Sequence, residues 1–157
     1  MERNAPITND ARFMGLALEE ARSAGVRGEV PVGAVLVDNN GAVVAGSGNT
    51  TRSVPDPTGH AEMNVLRAAA LAQNNFRLAG TTLFVTLEPC AMCAGAISHA
   101  RVERLVIAAS DPKGGGVWHG PKVFDHSTCH WRPAVDHGPF AAEAGTLLRD
   151  FFRARRK

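Results

Sequence analysis

Two short motifs, far apart in sequence, restrict how this chain can fold. The first is His60-Ala61-Glu62, and the second is Pro89-Cys90-Ala91-Met92-Cys93. One imidazole and two thiolates are a typical ligand set for Zn²⁺, and they leave the fourth tetrahedral position open for water. A fold that uses these side chains together must therefore bring two distant parts of the chain to one point.

Both motifs are predicted to lie at the start of a helix. Apolar residues repeat at helical spacing over residues 60–71, and helix-forming residues continue from Ala91 to about Ser98. Cys90 and Cys93 would then be neighbours on one helix face, near the positive end of the helix dipole. Residues two apart on a helix point in different directions, so His60 and Glu62 can share a site only within a first turn.

The other periodicities predict an α/β protein in which one sheet lies between helices. Further helices are predicted at residues 8–23 and 141–157, and strands at residues 30–37, 42–46, 82–87 and 104–109. Residues 114–138 have no clear period, so we expect a functional loop or short elements there. The order of the elements indicates a three-layer α/β/α arrangement. We find no linker or repeat, and therefore expect a single domain over residues 1–157.

The composition is that of a globular protein, with 45% hydrophobic and 20% charged residues. No apolar stretch is long enough for a transmembrane helix, and the N-terminus lacks the apolar core of a signal peptide. We therefore expect a cytoplasmic protein without membrane contact. The odd number of cysteines, three, argues against a disulfide framework. Cys129, outside the motifs, is expected to be a partly buried free thiol.

Positive charge is concentrated at the C-terminal end. The formal net charge is only +2, but residues 145–157 contain five basic side chains against the single acidic Asp150. Either a solvated tail or a surface that contacts a polyanion would explain this pattern.

The joint pattern H-x-E followed by P-C-x-x-C is the signature of zinc deaminases that act on cytosine or adenine rings. In that chemistry zinc activates a water as hydroxide, which attacks the amino-bearing ring carbon. Glu62 would carry protons from the water to the ring and to the departing amine. A redox CxxC pair and a structural zinc site are the alternatives. A structural site would need a fourth protein ligand, for which the candidates are Cys129, His126 and His130.

Segments along nearly the whole chain, from about Ala11 to Arg156, resemble the bacterial tRNA-specific adenosine deaminases. The segments that carry the resemblance are Glu29–Val35, Asn49, His60–Glu62, Thr86–Ile97, Asp111–Gly115 and Asp150–Arg153. The resemblance implies the zinc-dependent cytidine-deaminase fold, with a mixed sheet of about five strands and helices on both faces. It also implies a homodimer with one zinc per subunit and no organic cofactor. The implied reaction converts the wobble adenosine of an arginine tRNA to inosine.

The resemblance also implies roles for individual residues. The implied zinc ligands are His60, Cys90 and Cys93, and the implied proton shuttle is Glu62. The implied substrate contacts are Asn49 with the target base, Val30 and Pro31 in the pocket wall, Asp111 and Lys113 beside the neighbouring nucleotides, and Phe151, Phe152 and Arg153 on the C-terminal helix.

The sequence departs from the family at Gly116-Val117-Trp118-His119, where many members have small residues that end in Gly-Ser. Trp118 could stack on a base or narrow the groove against a large RNA. A guanine deaminase, or another deaminase of free purine bases or nucleosides, on the same fold is therefore a second hypothesis. A structural zinc domain without catalytic activity is the third.

Overall fold

The structure is a computed structural model that describes residues 5–156, with side chains from residue 9 onward. Within that range the helices are α1 Ala5–Val26, α2 Ala61–Gln73, α3 Ala91–Ala100 and α4 Ala141–Arg155. The strands are β1 Gly33–Val37, β2 Val43–Gly48, β3 Thr82–Leu87, β4 Arg104–Ala109 and β5 Ala134–His137. A short 3-10 helix covers Val123–Asp125.

The strands form one mixed sheet in the order β2-β1-β3-β4-β5. Strand β1 is antiparallel to both β2 and β3, whereas β3, β4 and β5 are parallel. The turn between β1 and β2 contains Gly41 at a φ of 83°, a backbone conformation that suits glycine. Helix α3 provides the crossover that the parallel pair β3–β4 requires.

Helices cover both faces of the sheet because the strand residues alternate between two buried clusters. Val35 and Val106 pack with Met14 of α1 in a cluster that also includes α4. Leu36 packs with Val65 of α2 in the other cluster, to which α3 contributes. The predicted three-layer α/β/α fold is therefore confirmed. Within residues 5–156, no helix combines the length and apolar character needed to cross a membrane.

Several predicted boundaries were wrong. The first strand begins at Gly33 rather than residue 30, because the Val32 N–H donates to the Val30 carbonyl and closes a tight turn around Pro31. The predicted loop 114–138 contains the 3-10 helix and β5, a four-residue strand with mostly exposed side chains and hence no apolar alternation to detect. The last helix ends at Arg155, and Lys157 lies outside the described residues.

Candidate active site

The residues predicted to bind metal meet where α2 and α3 begin. His60 and Cys90 are the N-cap residues of these helices, and both have extended backbone conformations. Neither side chain caps its own helix. The His60 Nδ1 atom lies 3.5 Å from the Cys90 Sγ atom and 3.5 Å from the Cys93 Sγ atom. The three ligand atoms all lie within 4.8 Å of one another.

The donor set fits a zinc ion in both chemistry and spacing. Ligands that bind zinc tetrahedrally at about 2.0–2.3 Å are separated from one another by roughly 3.5 Å. The proposed fourth protein ligands do not belong to this group. The Cys129 thiol contacts Ser98 and the Trp131 carbonyl instead, and His126 Nε2 lies 2.6 Å from the Pro121 carbonyl. The arrangement therefore favours an open catalytic site over a closed structural one. Cys129 is partly buried and forms no disulfide, as predicted.

The two thiols of the site differ in acidity. The hydrogen bond from the Cys93 thiol is the main cause that lowers the pKa of Cys90 to about 5. Donating that bond, together with burial, raises the pKa of Cys93. A dication bound here would displace the remaining thiol proton and stabilise both thiolates.

Glu62 lies beside the ligand set in the first turn of α2, and only 4% of its surface is exposed. His60 has an extended rather than helical backbone, so the rule that residues two apart on a helix point in different directions does not apply to it. The side chains of His60 and Glu62 can therefore face the same site. Burial raises the pKa of the Glu62 carboxyl to about 7. A cation bound by the neighbouring side chains would lower that pKa again.

A cleft of about 320 Å³ opens above these residues. Three of the predicted substrate contacts line it: Asn49, Val30 and Asp111. Pro31 is buried and lies outside the lining. Five further lining residues were not predicted as site residues: Val32, Thr51, Leu87, Glu88 and Gly114. Four of them lie inside segments that carry the family resemblance, and Thr51 lies two residues after Asn49, so these segments were the available signal.

Asn49 is held by one end of its amide. Its Oδ1 atom accepts a hydrogen bond of 2.8 Å from the buried Ala61 N–H. This backbone donor fixes the orientation of the amide. Among the described residues the Nδ2 atom has no hydrogen-bond partner, so a donor remains available to a ligand in the cleft.

Glu88 organises the segment of residues 111–119, whose last four residues depart from the family pattern. Its carboxylate accepts hydrogen bonds from the backbone N–H groups of residues 111, 117, 118 and 119 and contacts the His119 ring. Burial alone would raise the pKa of Glu88, but these hydrogen bonds outweigh it and lower the pKa. Trp118 stacks on His137, with ring centroids 4.1 Å apart, and is not among the residues that line the cleft.

Helix α4 borders a second cavity of about 410 Å³ that shares Val30, Leu87 and Asp111 with the cleft. Phe152 lines this cavity and is 48% exposed. The other predicted contacts lie outside both linings. The Phe151 ring lies 3.6 Å from the Arg155 guanidinium, Arg153 pairs with Asp150, and Lys113 is exposed.

The comparisons with known proteins agree with this geometry. Residues 7–109 match the profile of the cytidine and deoxycytidylate deaminase zinc-binding region. A tRNA-specific adenosine deaminase of Agrobacterium fabrum is 55% identical over 144 residues, which are 92% of this chain and 94% of that protein. The chain belongs to the tRNA-specific adenosine deaminase family. It is therefore a hydrolytic deaminase, and zinc as its cofactor is confirmed by the family profile together with the ligand set of His60, Cys90 and Cys93.

Solved structures extend the comparison. A structure from work on A-to-I editing by tRNA:A34 deaminases at the wobble position of transfer RNA superposes with a TM-score of 0.86 and 54% identity. The match covers 88% of this chain and 99% of that one. A guanine deaminase from Nitrosomonas europaea gives a TM-score of 0.76 over 88% of this chain and 82% of its own, but at 22% identity. That second likeness concerns the deaminase fold alone.

Proposed function

We propose that this enzyme converts the wobble adenosine of a tRNA anticodon loop to inosine, with an arginine tRNA as its substrate. The observation that carries the proposal is the position of Glu62, buried beside a three-ligand metal set in a cleft that adjoins basic helix α4. The names of the relatives, tRNA-specific adenosine deaminase and tRNA:A34 deaminase, support the choice of substrate.

The chemistry is the hydrolysis of an exocyclic amine. Zinc bound by His60, Cys90 and Cys93 would supply a Lewis acid that makes water acidic enough to react near neutral pH. The Glu62 carboxylate takes the proton of the attacking water and gives it to the ring nitrogen next to C6. It then takes the second proton, from the hydroxyl group now on C6, and delivers it to the amine; the C6–N bond breaks, ammonia leaves and the C6 carbonyl remains. Adenosine and water are thereby converted to inosine and ammonia.

In this proposal the residues that line the cleft bind the base. The free Nδ2 donor of Asn49 would hydrogen-bond an acceptor of the purine, and Val30 and Leu87 offer apolar surface to the ring. Pro31 acts indirectly in this proposal, because its tight turn places Val30. A base that enters such a cleft must first leave its stack in the RNA.

The rest of the RNA would lie along α4. Phe152 offers an exposed ring beside the cleft on which an unstacked base can stack. Arg149 and Arg153 are exposed on the same helix, and Lys113 is exposed near the cleft, so phosphates can be neutralised on both sides. Asp111 would shape this entrance, because its carboxylate accepts hydrogen bonds from two N–H groups of its own turn.

The homodimer, the cytoplasmic location and the single domain over residues 1–157 stay predictions. The single domain is supported by one sheet that runs through the described residues. The free-purine alternative is supported only by a shared fold, since the guanine deaminase match has 22% identity.

A parallel assay tests the proposal. Purified enzyme is incubated with in vitro transcribed arginine tRNA and, separately, with guanine, adenosine and cytosine. We expect inosine at the wobble position, detected by sequencing of the cDNA, and no ammonia from the small molecules. Ammonia released from a free base, together with unmodified tRNA, would overturn the assignment in favour of the small-molecule alternative.

A further inference from the structure

Glu88 is a buried acid without a part in the chemistry described above. Glu88 is among the residues that line the cleft, but its side chain is 0% exposed and its carboxylate is fully engaged by the protein's own N–H groups. It lies directly before Pro89 and Cys90, and its carboxylate makes five hydrogen-bond contacts beside the active site.

Both carboxylate oxygens are used, and together they contact both ends of the 111–119 segment. Oε1 accepts from the Asp111 N–H at 2.9 Å and lies 2.9 Å from His119 Nδ1. Oε2 accepts from the N–H groups of residues 117, 118 and 119 at 3.2, 2.8 and 3.1 Å. One side chain therefore closes the whole segment into a loop around itself.

The packing of the segment fits this role. A Cβ atom at Gly115 would overlap the Glu88 carboxylate, so the backbone passes against it at a distance that only glycine permits. The Gly116 N–H donates to the Pro89 carbonyl at 2.8 Å and fixes the same stretch to the start of α3. The segment then contributes Asp111 and Gly114 to the lining of the cleft.

We propose that Glu88 is a positioning residue for the deamination: its buried carboxylate fixes the 111–119 segment, and thereby the wall of the cleft that receives the nucleotides next to the target base. The identity of the substrate in this inference rests on the proposed function. The hydrogen bonds between Glu88 and the 111–119 segment do not depend on it.

Glu88→Gln is the informative variant because it keeps the shape and removes one acceptor. An amide can accept N–H groups at only one of its two ends. With its oxygen facing residues 117–119, its NH₂ group would face the Asp111 N–H, which loses its partner. Losing a buried hydrogen bond to a charged group should speed opening of the segment by about tenfold or more.

Amide hydrogen exchange of the zinc-loaded enzyme, followed residue by residue, tests the contacts directly. In Glu88→Gln we expect exchange at residues 111 and 117–119 to be about tenfold faster. The matched control is Glu29→Gln, which alters a carboxylate that is 1% exposed and binds a different cleft segment, residues 51–53. In that control the effect should be confined to residues 51–53.

Steady-state kinetics on tRNA give the functional readout. In Glu88→Gln we expect KM to rise by about tenfold, kcat to change less than threefold, and zinc to stay at one per chain. Glu19→Gln, an exposed carboxylate on α1, should leave both constants unchanged.

Unchanged exchange at residues 111 and 117–119 would overturn the proposal whatever the kinetics. Loss of zinc with a fall in kcat at constant KM would overturn it as well, since Glu88 would then serve the Cys90 ligand. If the wild-type enzyme fails to deaminate tRNA, the proposed function fails, and the exchange measurement still decides whether Glu88 holds the segment.

Discussion

The Nδ1 atom of His60 lies 3.5 Å from the Sγ atom of Cys93, although the two residues lie on helices separated in sequence by strand β3. This contact makes the metal site an outcome of the tertiary fold. Residues from the starts of both helices must be in place before the three donors converge. Binding of zinc and stability of the fold should consequently depend on each other.

Removal of zinc should therefore destabilise the protein as well as inactivate it. We expect a chelator to abolish deamination and to lower the melting temperature, with both restored by added zinc. Cys93→Ser should have the same effect, because its thiol is 0% exposed and belongs to the ligand set. Zinc content and thermal unfolding are the measurements. Cys129→Ser is the control and should retain zinc, and a chelated protein with normal activity would contradict the prediction.

Glu62→Gln should stop turnover without loss of the metal. The amide cannot take a proton from water, and general acid–base catalysis contributes about a hundredfold to ten-thousandfold. We expect deamination of tRNA to fall by about a thousandfold, with one zinc per chain as in wild type. Single-turnover inosine formation and metal analysis check this. A variant with bound zinc and an undiminished rate would exclude Glu62 as the proton shuttle.

The ion pairs of Arg104 should stabilise the fold. Its guanidinium contacts both carboxylate oxygens of Asp10 at 2.9 and 2.8 Å and Asp136 at 2.7 Å, which links α1 to β4 and β5. Since Asp10 is 8% exposed, Asp10→Asn should lower the free energy of unfolding by about 2 kcal/mol. Urea denaturation measures the change. The exposed pair Arg153–Asp150 provides the control, and Arg153→Ala should alter stability by less than about 0.5 kcal/mol.

Glu29 should contribute to the loss of stability in acid. Its burial raises the pKa of the carboxyl, but hydrogen bonds from Ser53, Arg52 and Thr51 outweigh that effect and lower the pKa from 4.5. A carboxyl with a lowered folded-state pKa stabilises the protein above its unfolded-state pKa and loses that contribution as pH falls through the folded-state value. Glu29→Gln should therefore be less stable than wild type at pH 7, and the difference should shrink below about pH 4.5. Urea unfolding between pH 7 and pH 3 tests this, and a difference independent of pH would contradict it.

Helix α4 should govern the salt dependence of tRNA binding. Each phosphate contact by Lys or Arg releases counterions, so the slope of log K against log salt counts such contacts. The double variant Arg149→Gln, Arg153→Gln should reduce the magnitude of that slope by about one to two. Arg77→Gln, beyond the far end of α2, should leave it unchanged. An equal slope in the double variant would exclude α4 from the interface.

Local patterns in the sequence predicted most of the fold and the centre of the site. Strands β3 and β4 have the predicted boundaries, because buried runs between turn residues carry a strong signal. Strand β5 was missed, since three of its four side chains are exposed and its pairing with β4 is set by the tertiary structure. The hydrogen bonds of Glu88 could not be predicted from the sequence either. Most of its partners are backbone N–H groups of residues 111–119, and a backbone N–H leaves no trace in the sequence.

Strand β5 also bears on how copies of this protein behave when crowded. It ends the sheet, and an outermost strand exposes N–H and C=O groups to which another chain can add as a further strand. Here it offers only four residues, its exposed Asp136 carries charge that is tied to Arg104, and the Trp118 ring covers His137. Short length and fixed charge are two means by which natural proteins prevent such additions. These features should make the addition of a further strand at β5 unfavourable.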